Sequence, residues 1–183
     1  MSMDGASAYQ VLEIAEDNPV LYADLESIQM LLTEGTGILY LGFPECPWCR
    51  TLVPVLLEAV ETNGFEGNIY YYNALFDRDK KSLDENGNIV TESEGTEMYQ
   101  ALLELLDEHL WAYEGLNDPT IKRVYFPMTV FVKDGEVIYS HIDTVESQED
   151  GYDPLTEEQH AELLDILSTH VKALMATEET VEE

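Results

Sequence analysis

The chain has 183 residues, of which 8 are basic and 38 acidic, so its formal net charge at pH 7 is −30. Such a surface repels phosphate backbones and anionic lipids, so nucleic acids and membrane surfaces are not expected as partners. The negative charge is expected to keep the protein soluble, and at most it also steers basic proteins toward the chain. An apolar share of 45% supports a proper core, and the length fits one domain or one domain with a large insertion.

The N-terminal segment, residues 1–18, is polar and is predicted to be flexible. Four apolar or aromatic residues within it are also compatible with an edge strand or a short helix: Tyr9, Val11, Leu12 and Ile14. A helix is predicted to begin after Asp24, a residue type that caps helix N-termini, and to end before Gly35. We expect one domain over residues 19–176 and an acidic tail over residues 177–183.

The next stretch combines a strand, a pair of cysteines and a helix. Residues 38–41 form an apolar run short enough for a buried strand, and residues 52–60 have a helical pattern. Between them lie Cys46 and Cys49, the two cysteines of the chain, with Pro47 suited to a first helical turn. A thiolate at a helix N-terminus faces unpaired N–H groups and the positive end of the helix dipole, which lowers its pKa. The pattern predicts Cys46 as a thiolate nucleophile and Cys49 as the residue that resolves a mixed disulfide.

A metal site is the main chemical alternative for a Cys-x-x-Cys pair. Structural zinc usually needs four ligands, and the chain has no second pair of this kind. The four histidines are scattered without ligand spacing: His109, His141, His160 and His170. We therefore expect no metal and no cofactor beyond a redox-active disulfide. The chain is also expected to be a monomer. An inert cysteine pair, or a metal or cluster held by cysteines of two chains, would also be compatible with the motif.

The second part of the chain begins with a predicted central strand over residues 69–72. Residues 74–95 are charged and turn-rich, and residues 84–88 at their centre are predicted to form a plain turn. An amphipathic helix follows, marked by a stripe of residues at helical spacing: Met98, Ala101, Leu102, Leu105, Leu106, His109 and Leu110.

The last elements are a hairpin and a closing helix. A strand begins after Pro127, and Asp134 with Gly135 form the residue pair that hairpin turns favour. Proline at the start of a strand within a sheet is unusual, and a cis peptide that bends the chain beside a site is one reason for it. Thr156 and Gln159 predict a capping box at the start of the closing helix.

The element order β–(Cys-x-x-Cys)–α–β–α–β–β–α resembles the thioredoxin fold over about residues 20–73 and 120–176. Three sets of residues carry the resemblance: Cys46 and Cys49 match the catalytic pair of that family, Pro127 matches its cis-proline, and Pro54 matches the kink proline of many members. The resemblance implies an α/β fold with a central mixed sheet of four or five strands flanked by helices. It also implies a helical insertion, over about residues 74–120, before the cis-proline strand.

The same resemblance implies where substrate binds. The residues expected beside the cysteines are Pro47, Trp48, Phe126 and Pro127. The chain departs from the family in five ways. Pro47-Trp48 between the cysteines is nearer the glutaredoxin type, the glutathione-binding residues of glutaredoxins are missing, and Tyr40 stands where thioredoxins often bury an aspartate. Phe126 is bulkier than the residue usually found before the cis-proline, and the 74–120 region is longer than in thioredoxin. In these respects it resembles extracytoplasmic thioredoxin-like proteins of Gram-positive bacteria, including the bacteriocin accessory type. This resemblance implies a cell-envelope protein whose leader is removed. The alternative is a cytoplasmic protein.

The function implied is that of a thiol–disulfide oxidoreductase acting on protein disulfides, with protein thiols and an upstream redox partner as its partners. The sequence leaves open whether it reduces, oxidises or isomerises, because small differences in thiolate stability decide the potential. Glu45 is expected to raise the pKa of Cys46 and Arg50 to lower it. The alternative function is a non-catalytic thioredoxin-like binding or adaptor module, in which the cysteines form a static disulfide and the insertion contacts a partner.

Overall fold

Residues 5–9 and 12–177 are described by the structure, a computed structural model of the chain. Their strands and α-helices follow in this order: β1 Val20–Tyr22, α1 Leu25–Glu34, β2 Gly37–Leu41, α2 Pro47–Thr62, β3 Ile69–Tyr72, β4 Lys80–Leu83, β5 Ile89–Ser93, α3 Glu97–Leu106, β6 Trp111–Ala112, β7 Lys122–Arg123, β8 Met128–Lys133, β9 Glu136–Ile142 and α4 Glu157–Met175. No helix in this part of the chain is long and apolar enough to cross a bilayer.

A mixed sheet of five strands forms the centre, in the order β1-β3-β2-β8-β9. β2 pairs in parallel with β3 on one side and antiparallel with β8 on the other. The predicted α/β class with a mixed sheet of four or five strands is thereby confirmed, with five strands. The sequence pattern does not reveal β1, because three residues are too few to show an alternation of apolar and polar side chains.

Helices cover both faces of this sheet. Ile38 and Tyr40 point into a core shared with α2 and α4, whereas Leu39 and Leu41 point into a second core shared with α1 and α3. All five residues of β2 are buried as a result, which explains why the strand has a continuous apolar sequence rather than an alternating one.

The predicted helix and hairpin signals are confirmed. The Asp24 carboxylate accepts a hydrogen bond of 2.8 Å from the Ser27 N–H at the start of α1, and Thr156 with Gln159 forms the capping box of α4. Asp134 and Gly135 connect β8 to β9 with φ angles of 50° and 77°, as a two-residue hairpin turn requires.

The insertion over residues 74–120 contains the predicted helix and, before it, a strand hairpin that the sequence does not predict. Helix α3 is present but ends at Leu106, where a 3-10 turn over Asp107–His109 replaces the predicted continuation. The turn-rich segment forms a hairpin of β4 and β5, and the predicted plain turn lies at its tip, where Asp84 accepts hydrogen bonds from Asn86 and Asn88. Both strands of the hairpin carry mostly polar, solvent-facing residues, so no apolar alternation marks them.

The N-terminal segment contributes to the core. A 3-10 helix over Gly5–Tyr9 packs beside β1, and Tyr9 is buried in the core on the α2 side of the sheet. Within the segment predicted to be flexible, residues 1–4, residue 10 and Val11 lie outside the described residues, as do residues 178–183 of the predicted acidic tail.

Candidate functional site

The two cysteines lie at the N-terminus of α2. Cys46 is the N-cap residue, with an extended backbone, and Pro47 occupies the first helical turn. The Cys46 sulfur accepts a hydrogen bond of 3.2 Å from the backbone N–H of Cys49. This is the place predicted for a thiolate, because the N–H groups of the first turn have no partner within the helix.

Both cysteines are free thiols, and their pKa values are shifted in opposite directions. A hydrogen bond from the Cys49 side chain lowers the pKa of Cys46, and the backbone N–H groups of Cys49 and Trp48 act in the same direction against the effect of burial. Burial raises the pKa of Cys49, and the neighbouring Cys46 raises it further. Cys46 therefore ionises first, while Cys49 keeps its proton and donates it in a hydrogen bond.

The strand that begins after Pro127 starts beside this turn. The peptide bond between Phe126 and Pro127 is cis, which confirms the prediction for this proline. Leu41 pairs with Met128 at the end of the β2–β8 ladder, so Pro127, immediately before Met128, lies at the end of the sheet from which β2 leads to Cys46. The Phe126 ring contacts the Phe43 ring edge-on, with 5.4 Å between the ring centroids. The structure thus brings the predicted substrate-binding residues to the same end of the sheet as the cysteines.

Trp48 packs against the loop between β9 and α4. Its indole ring lies so close to Gly151 that a Cβ at this glycine would come within 2.9 Å of the ring. The Thr51 hydroxyl donates a hydrogen bond of 3.4 Å to the carbonyl of Gly151, which holds the loop against the first turns of α2. One face of the indole is therefore covered, and the side chain as a whole is half-buried.

A cluster of buried tyrosines adjoins Cys49, and sequence reasoning did not identify it as part of the site. The Tyr40 hydroxyl interacts with the Cys49 thiol and lowers its pKa, in opposition to burial. The Tyr9 and Tyr40 hydroxyls are joined by a hydrogen bond of 2.6 Å, and Tyr71 stacks on Tyr40. Burial raises the pKa of Tyr40 well above its ordinary value, so its hydroxyl stays protonated. Gly42 makes the approach possible, because a Cβ there would overlap the Tyr40 hydroxyl.

The charged residue that acts on Cys46 most strongly is Asp143, which raises the pKa of the thiol. Its backbone N–H donates a hydrogen bond of 2.8 Å to the carbonyl of Pro127. Glu45 is exposed, and Arg50 is directed to the carbonyl of Pro44, to which its guanidinium donates at 3.1 Å. No sequence signal points to Asp143, because nearly a hundred residues of chain separate it from Cys46.

Within residues 5–9 and 12–177, no group of three or more His, Cys, Asp or Glu side chains has an arrangement that could hold a metal ion. Of the histidines, His160 contacts Glu58 at 2.7 Å on the surface between α4 and α2, and His141 contacts the carbonyl of Thr144 at 2.6 Å.

In comparisons with known proteins, the chain matches no protein-family model and no curated sequence.

Proposed function

We propose that the chain has a thioredoxin-like fold and acts as a thiol–disulfide oxidoreductase on protein disulfides, through Cys46 and Cys49. One observation carries the proposal: the Cys46 sulfur caps α2 and accepts a hydrogen bond from the backbone N–H of Cys49. A thiolate stabilised in this way is the attacking species in disulfide exchange. The mixed five-stranded sheet and the cis bond before Pro127 are compatible with this fold.

The reaction transfers two electrons and two protons from the cysteine pair to the substrate. The Cys46 thiolate attacks one sulfur of the substrate disulfide, a mixed disulfide forms, and the other substrate sulfur leaves as a thiolate that takes up a proton. Cys49 then loses its proton and attacks the Cys46 sulfur, which releases the second substrate thiol. The product is a Cys46–Cys49 disulfide, which a dithiol of an upstream redox partner reduces; in the reverse direction the same steps oxidise a substrate dithiol.

The substrate is expected to bind beside Phe126 and Pro127, at the end of the sheet where β8 begins. An extended substrate segment is expected to pair there with the backbone of Phe126 through main-chain hydrogen bonds. Pro47 and the uncovered part of Trp48 are expected to contact the substrate on the other side of the Cys46 sulfur.

Reduction of insulin by dithiothreitol in the presence of the protein tests the proposal. The native chain should accelerate the reaction, and Cys46→Ser should abolish the acceleration. Cys49→Ser should leave a mixed disulfide on Cys46 that mass spectrometry detects. Titration against glutathione then gives the potential and with it the physiological direction. Equal rates for the native chain and Cys46→Ser would rule the proposal out.

One observation favours the adaptor module as a second candidate: Cys46 is only 4% exposed. In that case the cysteine pair serves as a static link, and a partner binds without exchange. The rate at which iodoacetamide alkylates Cys46 after mild reduction separates the oxidoreductase from the adaptor. Rapid alkylation supports the oxidoreductase, whereas resistance to alkylation supports the adaptor, because an adaptor needs no accessible thiolate.

A further inference from the structure

The basic residues of this strongly acidic chain are concentrated in one region. Five of the eight lie between positions 78 and 123, in and beside the insertion: Arg78, Lys80, Lys81, Lys122 and Arg123. Four of these line one open cavity of about 580 Å³, and the exception is Lys122. The excess of acidic residues, with a net charge of −30, already keeps the chain soluble. The cluster of basic residues is therefore better explained by the binding of a negatively charged group.

The lysines of this cavity have their own counter-ions, whereas the arginines do not. Lys81 lies 3.2 Å from Asp79, and Lys80 lies 3.1 Å from Glu92. No carboxylate in residues 5–9 and 12–177 lies within ion-pair distance of Arg78 or Arg123. The cavity therefore contains two guanidinium groups without a neutralising partner.

Aromatic rings hold the two arginines in place. The guanidinium of Arg78 lies over the Phe126 ring, 4.6 Å from its centroid, and donates a hydrogen bond of 3.1 Å to the carbonyl of Val124. The guanidinium of Arg123 lies over the Tyr113 ring at 4.3 Å. Burial lowers the pKa of Arg78, and the like charge of Arg123 lowers it further, so the two cations oppose each other. An anion bound between them would relieve this repulsion.

A chain of contacts links the cavity to the proposed redox site. Arg78 contacts Phe126, the Phe126 ring contacts Phe43, and the carbonyl of Phe43 accepts a hydrogen bond of 3.2 Å from the N–H of Cys46. Phe76 also lines the cavity and is 90% exposed. A free inorganic anion would use neither the exposed ring nor the path to the cysteines, whereas a polypeptide carrying an acidic side chain would use both.

We propose that the cavity between Arg78 and Arg123 binds the carboxylate of an Asp or Glu side chain of the polypeptide whose disulfide reacts with Cys46. The inference rests on the proposed function and adds a substrate preference to it. Guanidinium groups suit this ligand, because their planar array of donors matches a carboxylate in geometry and charge. The net charge of the chain repels such a substrate at long range, so the preference acts only after contact.

A series of disulfide peptides tests this site. The two peptides of each pair are identical except that one has Glu and the other Gln at a single position. From pair to pair, this position is moved residue by residue away from the peptide's own disulfide-bonded cysteine. The native chain should show, at one or two positions, a kcat/KM for the Glu peptide about threefold to tenfold above that for the Gln peptide, mainly through KM. In Arg123→Gln the ratio of the two values should fall to about one or below.

Two further variants support the interpretation. Phe76→Asp changes an exposed side chain and adds a carboxylate at the cavity; it should reduce the Glu to Gln ratio without unfolding the chain. Lys172→Gln on α4 removes one charge from an exposed position outside the cavity and should leave both rates unchanged. A ratio of about one at every position in the native chain, or a preference that survives in both Arg123→Gln and Phe76→Asp, would overturn the proposal.

The Gln peptides separate this inference from the proposed function, since their reduction depends on the cysteines and not on the cavity. If no peptide is reduced, the proposed function fails, and binding of peptides with serine in place of cysteine still tests the cavity by calorimetry. Tighter binding of the Glu peptide that Arg123→Gln abolishes supports the site. Binding of inorganic phosphate without any preference for the Glu peptide would overturn its assignment to a polypeptide.

Discussion

The hydroxyl groups of Tyr9 and Tyr40 lie 2.6 Å apart, in a buried hydrogen bond that joins the N-terminal 3-10 helix to strand β2 beside Cys49. Neither hydroxyl ionises in the ordinary pH range, because burial raises the pKa of both tyrosines. The pair therefore offers Cys49 a fixed neutral donor where a carboxylate would offer a proton acceptor. This arrangement bears on the second step of the proposed reaction, in which Cys49 loses its proton and attacks the mixed disulfide.

Tyr40→Phe should slow the resolution of the mixed disulfide. Loss of the Tyr40 hydroxyl removes an interaction that lowers the pKa of Cys49, so less thiolate is available at neutral pH. A single hydrogen bond of this kind corresponds to about threefold to tenfold in rate. Quenched-flow measurement of the mixed disulfide with a peptide substrate should show it accumulating and its decay shifting to higher pH. Tyr70→Phe, on the opposite face of the sheet, is the control; equal decay rates in both variants would contradict the role of Tyr40.

The alkylation of Cys46 should titrate below the ordinary thiol pKa of 9.0. The Cys49 hydrogen bond stabilises the thiolate of Cys46, so the iodoacetamide rate should rise with pH and reach half its maximum below that value. In Cys49→Ala the donor side chain is lost and the midpoint should move to higher pH, whereas Cys49→Ser keeps a donor and should shift it less. A midpoint that is the same in all three chains would show that the Cys49 side chain has no influence on Cys46.

Asp143→Asn should make the protein a stronger oxidant. The negative charge of Asp143 raises the pKa of Cys46, and its removal stabilises the thiolate of the reduced form. Asparagine tolerates the φ of 77° at this position. Equilibrium with glutathione should give a less negative potential and a lower pKa for Cys46. Asp134→Asn is a matched control, since Asp134 also has a positive φ but lies in the hairpin turn between β8 and β9; the prediction fails if both variants change the potential equally.

Gly135→Ala should destabilise the fold much more than Gly87→Ala. Both glycines have φ angles near 80°, so alanine costs about 1 kcal/mol at either position for the left-handed backbone. At Gly135 a Cβ would also come within 2.2 Å of the backbone of Thr33 and force α1 away from the hairpin, whereas at Gly87 it meets no atom within 4 Å. We expect a total loss of about 3 kcal/mol for Gly135→Ala in urea unfolding. Equal losses would mean that the hairpin turn and α1 are not in contact.

Much of the fold is visible in local patterns. The two central strands β2 and β3, the caps of α1 and α4, the hairpin turn at Asp134 and the position of Cys46 at a helix start were all predicted from neighbouring residues. The hairpin of β4 and β5 was missed because its strands are exposed, and β1 because it is short. A pattern of apolar residues detects an element only where the element buries one face over several residues.

The sequence by itself determined the Cys-x-x-Cys motif, that is, the spacing of Cys46 and Cys49 and the helix that follows, because hydrogen bonding at a helix N-terminus acts within four residues. The tertiary structure alone decided which side chains surround that motif. Tyr9 reaches Tyr40, Asp143 reaches Cys46, and Arg78 comes near Arg123 only because the sheet order and the insertion bring distant parts of the chain together. Charge interactions and burial depend on distance in space, and no periodicity along a chain encodes that distance.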